Sequence, residues 1–259
     1  MNQELSRSHP VPSEHAYTTV PRNPWGFHPE WLLATLVSVP LITTIFWWLG
    51  THYFESRLSF SEFHQFAVLI VAIIAGGYQL YFWVQRNNRH LAAKTLKIPL
   101  DDRIPFWPSW VWIYSIFYFV MIGVAVISMR DPAYGVHLIF GALMVLVTGS
   151  VVFYFFPTYV PEQFRAFEVH SLSTRYLAFI QSMDNNRNAF PSMHCAIAAY
   201  VGLVIVQLPL IGPALGYGYI AVIMVSCIVV KQHVIIDTVA GTVHGAAVYF
   251  ANEWLFNLS

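Results

Sequence analysis

Two short polar stretches interrupt an otherwise apolar sequence. The first is Asn188-Ala189-Phe190-Pro191-Ser192-Met193-His194, the second Lys231-Gln232-His233-Val234-Ile235-Ile236-Asp237. His233 and Asp237 are four residues apart, which on a helix puts both side chains on one face. The carboxylate can then accept a hydrogen bond from one ring nitrogen of His233, fixing the tautomer and leaving the other nitrogen free to attack. Ser192 follows Pro191 at a helix start, where its hydroxyl and the free backbone N–H groups make an anion site. His194 can give a proton to a leaving oxygen. Lys231 and an arginine from the preceding loop can balance phosphate charge. Together they supply a nucleophile, its orienter, an acid and an anion cradle, which are the parts of a phosphoryl-transfer site.

Each residue alone also has a plainer role. Histidines in apolar helices, such as His137 and His244, are usually packed and hydrogen-bonded. A His–Asp pair at this spacing can be a structural hydrogen bond or half of a metal site. Pro-Ser at a helix start is ordinary capping, and Lys231 can snorkel to an interface. What favours chemistry is convergence: ionisable groups at the ends of membrane helices are costly and mark functional sites.

The elements that must position these groups are apolar and long. The chain has 259 residues, 57% of them hydrophobic and only 10% charged, against about 25% charged in soluble domains. A helix needs roughly 20 apolar residues to cross the hydrocarbon core. Seven segments approach or reach that length, at about 31–50, 64–85, 106–129, 134–157, 191–208, 214–232 and 237–257. In lipid the backbone must satisfy its own hydrogen bonds, so these are helices. Pro209 and Pro213 mark the turn between the fifth and sixth. That turn returns the end of the sixth segment to the face where the fifth began. The loop 158–188 and both polar stretches therefore share one membrane face. The loop is longer than a helical hairpin needs, which fits a functional loop.

The expected fold is all-α, a polytopic membrane bundle of about six or seven transmembrane helices. Residues 1–30 are polar and rich in proline, without the apolar core of a cleavable signal peptide. They are expected to form a disordered arm, with Trp25, Phe27 and Trp31 nearing the interface. Residues 31–103 would hold the N-terminal helices and a basic loop, and 104–257 the catalytic membrane domain. Net charge is zero, so nothing points to nucleic acid. Cys195 and Cys227 fall inside helices and form neither a disulfide framework nor a zinc pattern; they read as small buried hydrophobes.

The motifs resemble those of the type 2 phosphatidic acid phosphatase (PAP2) superfamily over roughly residues 104–250. That family carries Pro-Ser-Gly-His, here Pro191-Ser192-Met193-His194. It also carries Ser-Arg followed five residues later by His-x-x-x-Asp, here Ser226-Cys227 and then His233 to Asp237. The wording Asn-Ala-Phe-Pro-Ser-Met-His, Lys-Gln-His and Phe156-Pro157-Thr158 is similar to the inositol-phosphorylceramide-synthase-related branch. The resemblance implies that His233 takes the phosphoryl group, Asp237 orients it, His194 is the acid and Ser192 binds phosphate oxygens. Three positions depart from the pattern. Met193 replaces glycine, and Cys227 replaces arginine, with Lys231 one helical turn on as a substitute point charge. No Arg-Pro follows the fourth segment, so Arg165 stands in for the first motif, with Arg175 and Arg187 behind it.

The sequence thus points to a membrane lipid phosphate phosphohydrolase with a phosphohistidine intermediate. Its partners are a lipid phosphate and the bilayer, and the chemistry requires no metal or cofactor. Transfer to a lipid alcohol uses the same residues and is the alternative. A transporter or a non-catalytic membrane protein is the competing class, but transporters break helices near the midplane, whereas these stretches lie at helix ends. The expected location is a bacterial inner membrane. For orientation two expectations oppose each other. The basic loop 86–105 would be cytoplasmic by the positive-inside rule, and the site with it. The resemblance implies an outer or lumenal site, and the outer face is the expectation adopted.

Overall fold

The computed structural model describes residues 29–256, with side chains from residue 39 onward. The expected arm, with Trp25 and Phe27, and the Trp31 side chain lie outside the described residues. The described chain divides into two units between Leu41 and Ile42, a point that falls inside the first helix, α1 (Pro29–Tyr53). All later helices belong to the second unit.

All seven apolar segments are helical, and the all-α expectation is met. After α1 come α2 (Phe60–Asn87), α3 (Tyr118–Ile127), α4 (Pro132–Phe155), α5 (Glu162–Arg165), α6 (Leu172–Met183), α7 (Met193–Val206), α8 (Gly212–Val229) and α9 (Ile235–Phe256). Among the described residues, α2, the helical stretch Pro108–Ile127, α4 and α8 are long and apolar enough to cross a membrane. α7 has 14 residues and so spans only about 21 Å.

The ends of these helices are written in the sequence. Ser59 and Glu62 cap α2 reciprocally: Ser59 Oγ accepts from the Glu62 N–H, and Glu62 Oε2 accepts from the Ser59 N–H at 2.8 Å. Asp131 caps α4 by accepting from the Tyr134 N–H at 2.9 Å, with Pro132 at the first helical position. Such caps satisfy donors that neither lipid nor the helix itself can satisfy.

α7 is the buried axis of the unit. It packs most extensively on α8 and α9 and also touches α3 and α4. Cys195, Ala196, Ala198 and Tyr200 have no exposed surface. The α7–α9 seam depends on Gly241 and Gly245. A Cβ at Gly241 would overlap the Ser192 carbonyl oxygen, and one at Gly245 the Ala196 carbonyl oxygen. With only hydrogen there, the two backbones lie in contact, as small residues allow between membrane helices.

The loop 158–188 holds more order than its sequence suggests. It contains α5 and the 12-residue α6, started by Ser171 accepting from the Thr174 N–H at 3.2 Å. Thr158 forms isolated parallel bridges with Lys94 and with Asn188. The bridges tie the 86–105 connection, the 158–188 connection and the first polar stretch together on one face, as the number of crossings implies.

Candidate functional site

The second polar stretch is a tight reversal between α8 and α9. α8 ends with the Lys231 N–H donating to Ile228 O, and the Gln232 and His233 N–H groups both donating to Cys227 O. Lys231 sits in the left-handed region at φ 58°, a conformation more common for glycine at helix ends. The reversal carries His233 to the first polar stretch. There His233 Nδ1 lies 3.0 Å from the Ala189 carbonyl oxygen. A carbonyl can only accept, so Nδ1 carries the proton and Nε2 presents a lone pair.

Asp237 stands beside this pair. Its Oδ2 is 3.7 Å from His233 Nδ1 and accepts from the Val234 N–H at 3.1 Å. Its Oδ1 is buried without a hydrogen-bond partner. His233 and Asp237 do come together, but not along one helix face: α9 starts at Ile235, so His233 belongs to the reversal and only Asp237 to the helix. The closer acceptor for the ring is a backbone carbonyl, whose presence no sequence pattern reveals. Burial alone would lower the His233 pKa. The Asp237 carboxylate beside the ring outweighs burial, so the pKa is raised above its ordinary 6.5.

The first polar stretch is anchored from both sides. The Phe190 N–H donates to Thr158 Oγ1 at 2.7 Å, and Asn188 Nδ2 donates to Tyr81 O at 3.0 Å. The Ser192 N–H donates to Asp237 O at 2.9 Å, which joins the two polar stretches directly. Ser192 Oγ caps α7 by accepting from the Cys195 N–H at 3.3 Å. Ser192 is fully buried.

His194, at the start of α7, is held by aromatic rings. Tyr114 stacks on it at 4.1 Å between ring centroids, and Tyr118 lies 4.7 Å away. Tyr114 Oη is 3.2 Å from His194 Nδ1. Both tyrosines come from the helical stretch before and at the start of α3, where residues Ile113–Phe117 form a π-turn. Such turns often occur at functional sites. No sequence motif marks either tyrosine; the aromatic richness of that segment is the only hint.

His194 and His233 line one cavity of about 300 Å³. Its walls are mainly apolar and come from α2, α3, α4, α6 and α7. Its polar lining around the histidines includes Asp184, Asn188 and Gln232. Among the described residues, no lysine or arginine lines it.

The expected phosphate cations are turned elsewhere. Lys231 Nζ donates to Asp101 O at 2.9 Å and lies 4.5 Å from the Phe164 ring centre. Burial lowers its pKa, against the pull of Asp101 and Asp102. Arg165 Nη2 donates to Gln181 O at 3.1 Å, and Nη1 is 3.7 Å from Asp184 Oδ2. Arg187 binds Asn88 through Nε at 3.0 Å and the Leu91 carbonyl through Nη2 at 2.7 Å. Cys227 is buried with its sulfur 3.7 Å from that of Cys195. The structure therefore places His194 and His233 on one cavity, with Asp237 beside His233, while Ser192 is buried and does not line that cavity. It directs Lys231 and Arg165 to backbone carbonyls. Asp101, which no sequence pattern marks, braces the reversal: its Oδ1 accepts from the Ile235 N–H at 2.9 Å.

The sequence model of the PAP2 superfamily matches residues 101–251, more than half of the chain. The chain belongs to the PAP2 superfamily. The matched span begins at Asp101 and takes in both histidines and Asp237. No curated protein and no solved structure matches the chain. Superfamily membership, with several apolar helices, makes this a membrane protein of a phosphatase and phosphotransferase family.

Proposed function

We propose that the protein is a lipid phosphate phosphohydrolase that works through a phosphohistidine at His233. The observation carrying this reading is that His194 and His233 share one cavity whose walls are otherwise mostly apolar. The lining residues on α2 run from Ile70 to Phe82, a rise of about 18 Å, which is room for a hydrocarbon chain below a reacting headgroup.

The chemistry follows from the geometry. His233 Nε2 attacks phosphorus, and the bond from phosphorus to the lipid oxygen breaks. His194 gives that oxygen a proton. The imidazole, now carrying phosphoryl and the Nδ1 proton, is cationic, and Asp237 at 3.7 Å balances it. His194 then takes a proton from water as its oxygen attacks phosphorus. Phosphate leaves, and His233 is restored with Nδ1 still protonated.

Transfer to a lipid alcohol is the second reading, favoured by the apolar walls, through which an alcohol can reach the same intermediate in place of water.

The two histidine variants separate the roles. His233→Ala should form no covalent intermediate on any substrate. His194→Ala should fail on lipid phosphates, whose alkoxides leave badly, and recover in part on an aryl phosphate, whose leaving group needs little protonation. Rapid quench of detergent-purified protein with labelled substrate should show acid-labile, base-stable protein phosphate in wild type and in His194→Ala only. Label on His233→Ala would remove the nucleophile assignment. Adding a lipid alcohol during breakdown sends label to a new lipid in a transferase and to free phosphate in a hydrolase.

A further inference from the structure

A transferred phosphoryl group brings negative oxygens that need hydrogen-bond donors. The described residues around the two histidines offer the cavity no lysine or arginine, and they include one carboxylate, Asp184. Asp184 is itself engaged by Gln85 and by Arg165. The nearby cations are committed: Lys231 to Asp101 O, Arg165 to Gln181 O, Arg187 to Asn88 and Leu91. The position where the family motif carries arginine is Cys227, buried against Cys195. The usual charge is missing from the site, so something else must meet the oxygens.

Gln232 has the right place and an unused donor. It directly precedes His233 and lines the same cavity. Its backbone N–H is fixed to Cys227 O at 3.1 Å, so the turn that aims His233 also sets the origin of this side chain. Its Nε2 is buried and has no hydrogen-bond partner. A buried amide donor without a partner is costly, and native proteins keep few of them. At a reacting centre the cost is explained by a partner that arrives with the substrate.

We infer that Gln232 is a substrate-binding residue: its Nε2–H donates to a non-bridging oxygen of the phosphoryl group on its way to His233. The side chain replaces, with a neutral donor, the contact that Cys227 cannot make. The inference rests on the phosphoryl chemistry proposed above and adds to it the group that holds the anion.

Orthovanadate, which mimics the phosphoryl group at a histidine nucleophile, tests this independently of turnover. Its binding to the detergent-purified full chain can be followed by vanadium NMR or calorimetry. Gln232→Met keeps the length and loses the donor; Gln232→Glu keeps the shape and adds repulsion. Loss of a hydrogen bond to a charged group should weaken vanadate on the order of 10- to 100-fold in Gln232→Met, and further in Gln232→Glu. The thermal unfolding midpoint should stay at the wild-type value, because in the resting protein the amide donor has no partner to lose. Vanadate affinity within about twofold of wild type in either folded variant would overturn the role of Gln232 and leave the nucleophile standing. Wild-type protein that binds no vanadate would overturn the phosphoryl chemistry itself, and this inference with it.

Discussion

His233 donates from Nδ1 to the Ala189 carbonyl at 3.0 Å, while the Asp237 carboxylate stands 3.7 Å from the same nitrogen. The tautomer is therefore held by backbone, and the carboxylate acts mainly through its charge. Asp237→Asn should keep the fold and the reactive tautomer yet lower turnover by about 10²-fold. It should also move the pH profile. The nucleophile must be neutral, and Asp237 raises the His233 pKa above 6.5. Wild-type activity should thus rise with pH through a midpoint above 6.5. Without the carboxylate, burial dominates and the midpoint should fall. A profile of kcat/KM against pH reads both, and an unmoved acid limb in Asp237→Asn would remove Asp237 from the control of His233.

Gly245→Ala should be among the most damaging single-methyl changes in the protein. Its Cβ would meet the Ala196 carbonyl oxygen, a backbone atom that cannot turn aside. Overpacking of this kind costs about 1–3 kcal/mol, and it should cut activity as well, because α7 and α9 carry the proposed acid, His194, and the proposed orienter, Asp237. Gly218→Ala is the control: nothing lies within 4 Å of its Cβ. Thermal unfolding in detergent compares them, and equal midpoints for the two variants would show that the seam yields easily.

The face that holds the site is also the basic face. Nine described lysines and arginines lie at that end, eight on its connections and Arg86 in the last turn of α2, against Arg57 and Arg130 at the other. The positive-inside rule predicts a cytoplasmic site face, the reverse of the outer-face expectation that came with the resemblance. Single cysteines at positions 92 and 172, in a chain with Cys195 and Cys227 replaced, should resist an impermeant label in intact cells and react in inverted vesicles. Labelling of intact cells would restore the outer-face expectation.

Much of this is legible in the sequence because lipid is a strict solvent. Runs of about 20 apolar residues have few alternatives to helix, and the number of crossings puts both polar stretches on one face. The His233–Asp237 pairing is legible from the four-residue spacing, but its geometry is not helical: α9 starts at Ile235, and the reversal before it carries His233. Other features depend on partners that no local pattern encodes. Lys231 and Arg165 read as phosphate cations by type, yet Lys231 is bound to the Asp101 carbonyl, 130 residues away. The Ala189 carbonyl has no side-chain signature at all. α6 escapes a reading based on membrane-length apolar runs because its own run, Tyr176 to Ile180, is short and flanked by polar residues.

The division of labour between helices has a consequence for how such a protein can change over generations. The spacing of His194 and Asp237 is set where α7 and α9 touch through Gly241 and Gly245. Most of the apolar walls of the cavity belong to α2, α3, α4 and α6. For the lipid substrate proposed above, substitutions that lengthen, narrow or reshape those walls would retune which hydrocarbon fits while leaving the reacting atoms in register. On that reading chemistry and selectivity are inherited separately: one is locked in the main chain of a single seam, and the other is free to drift.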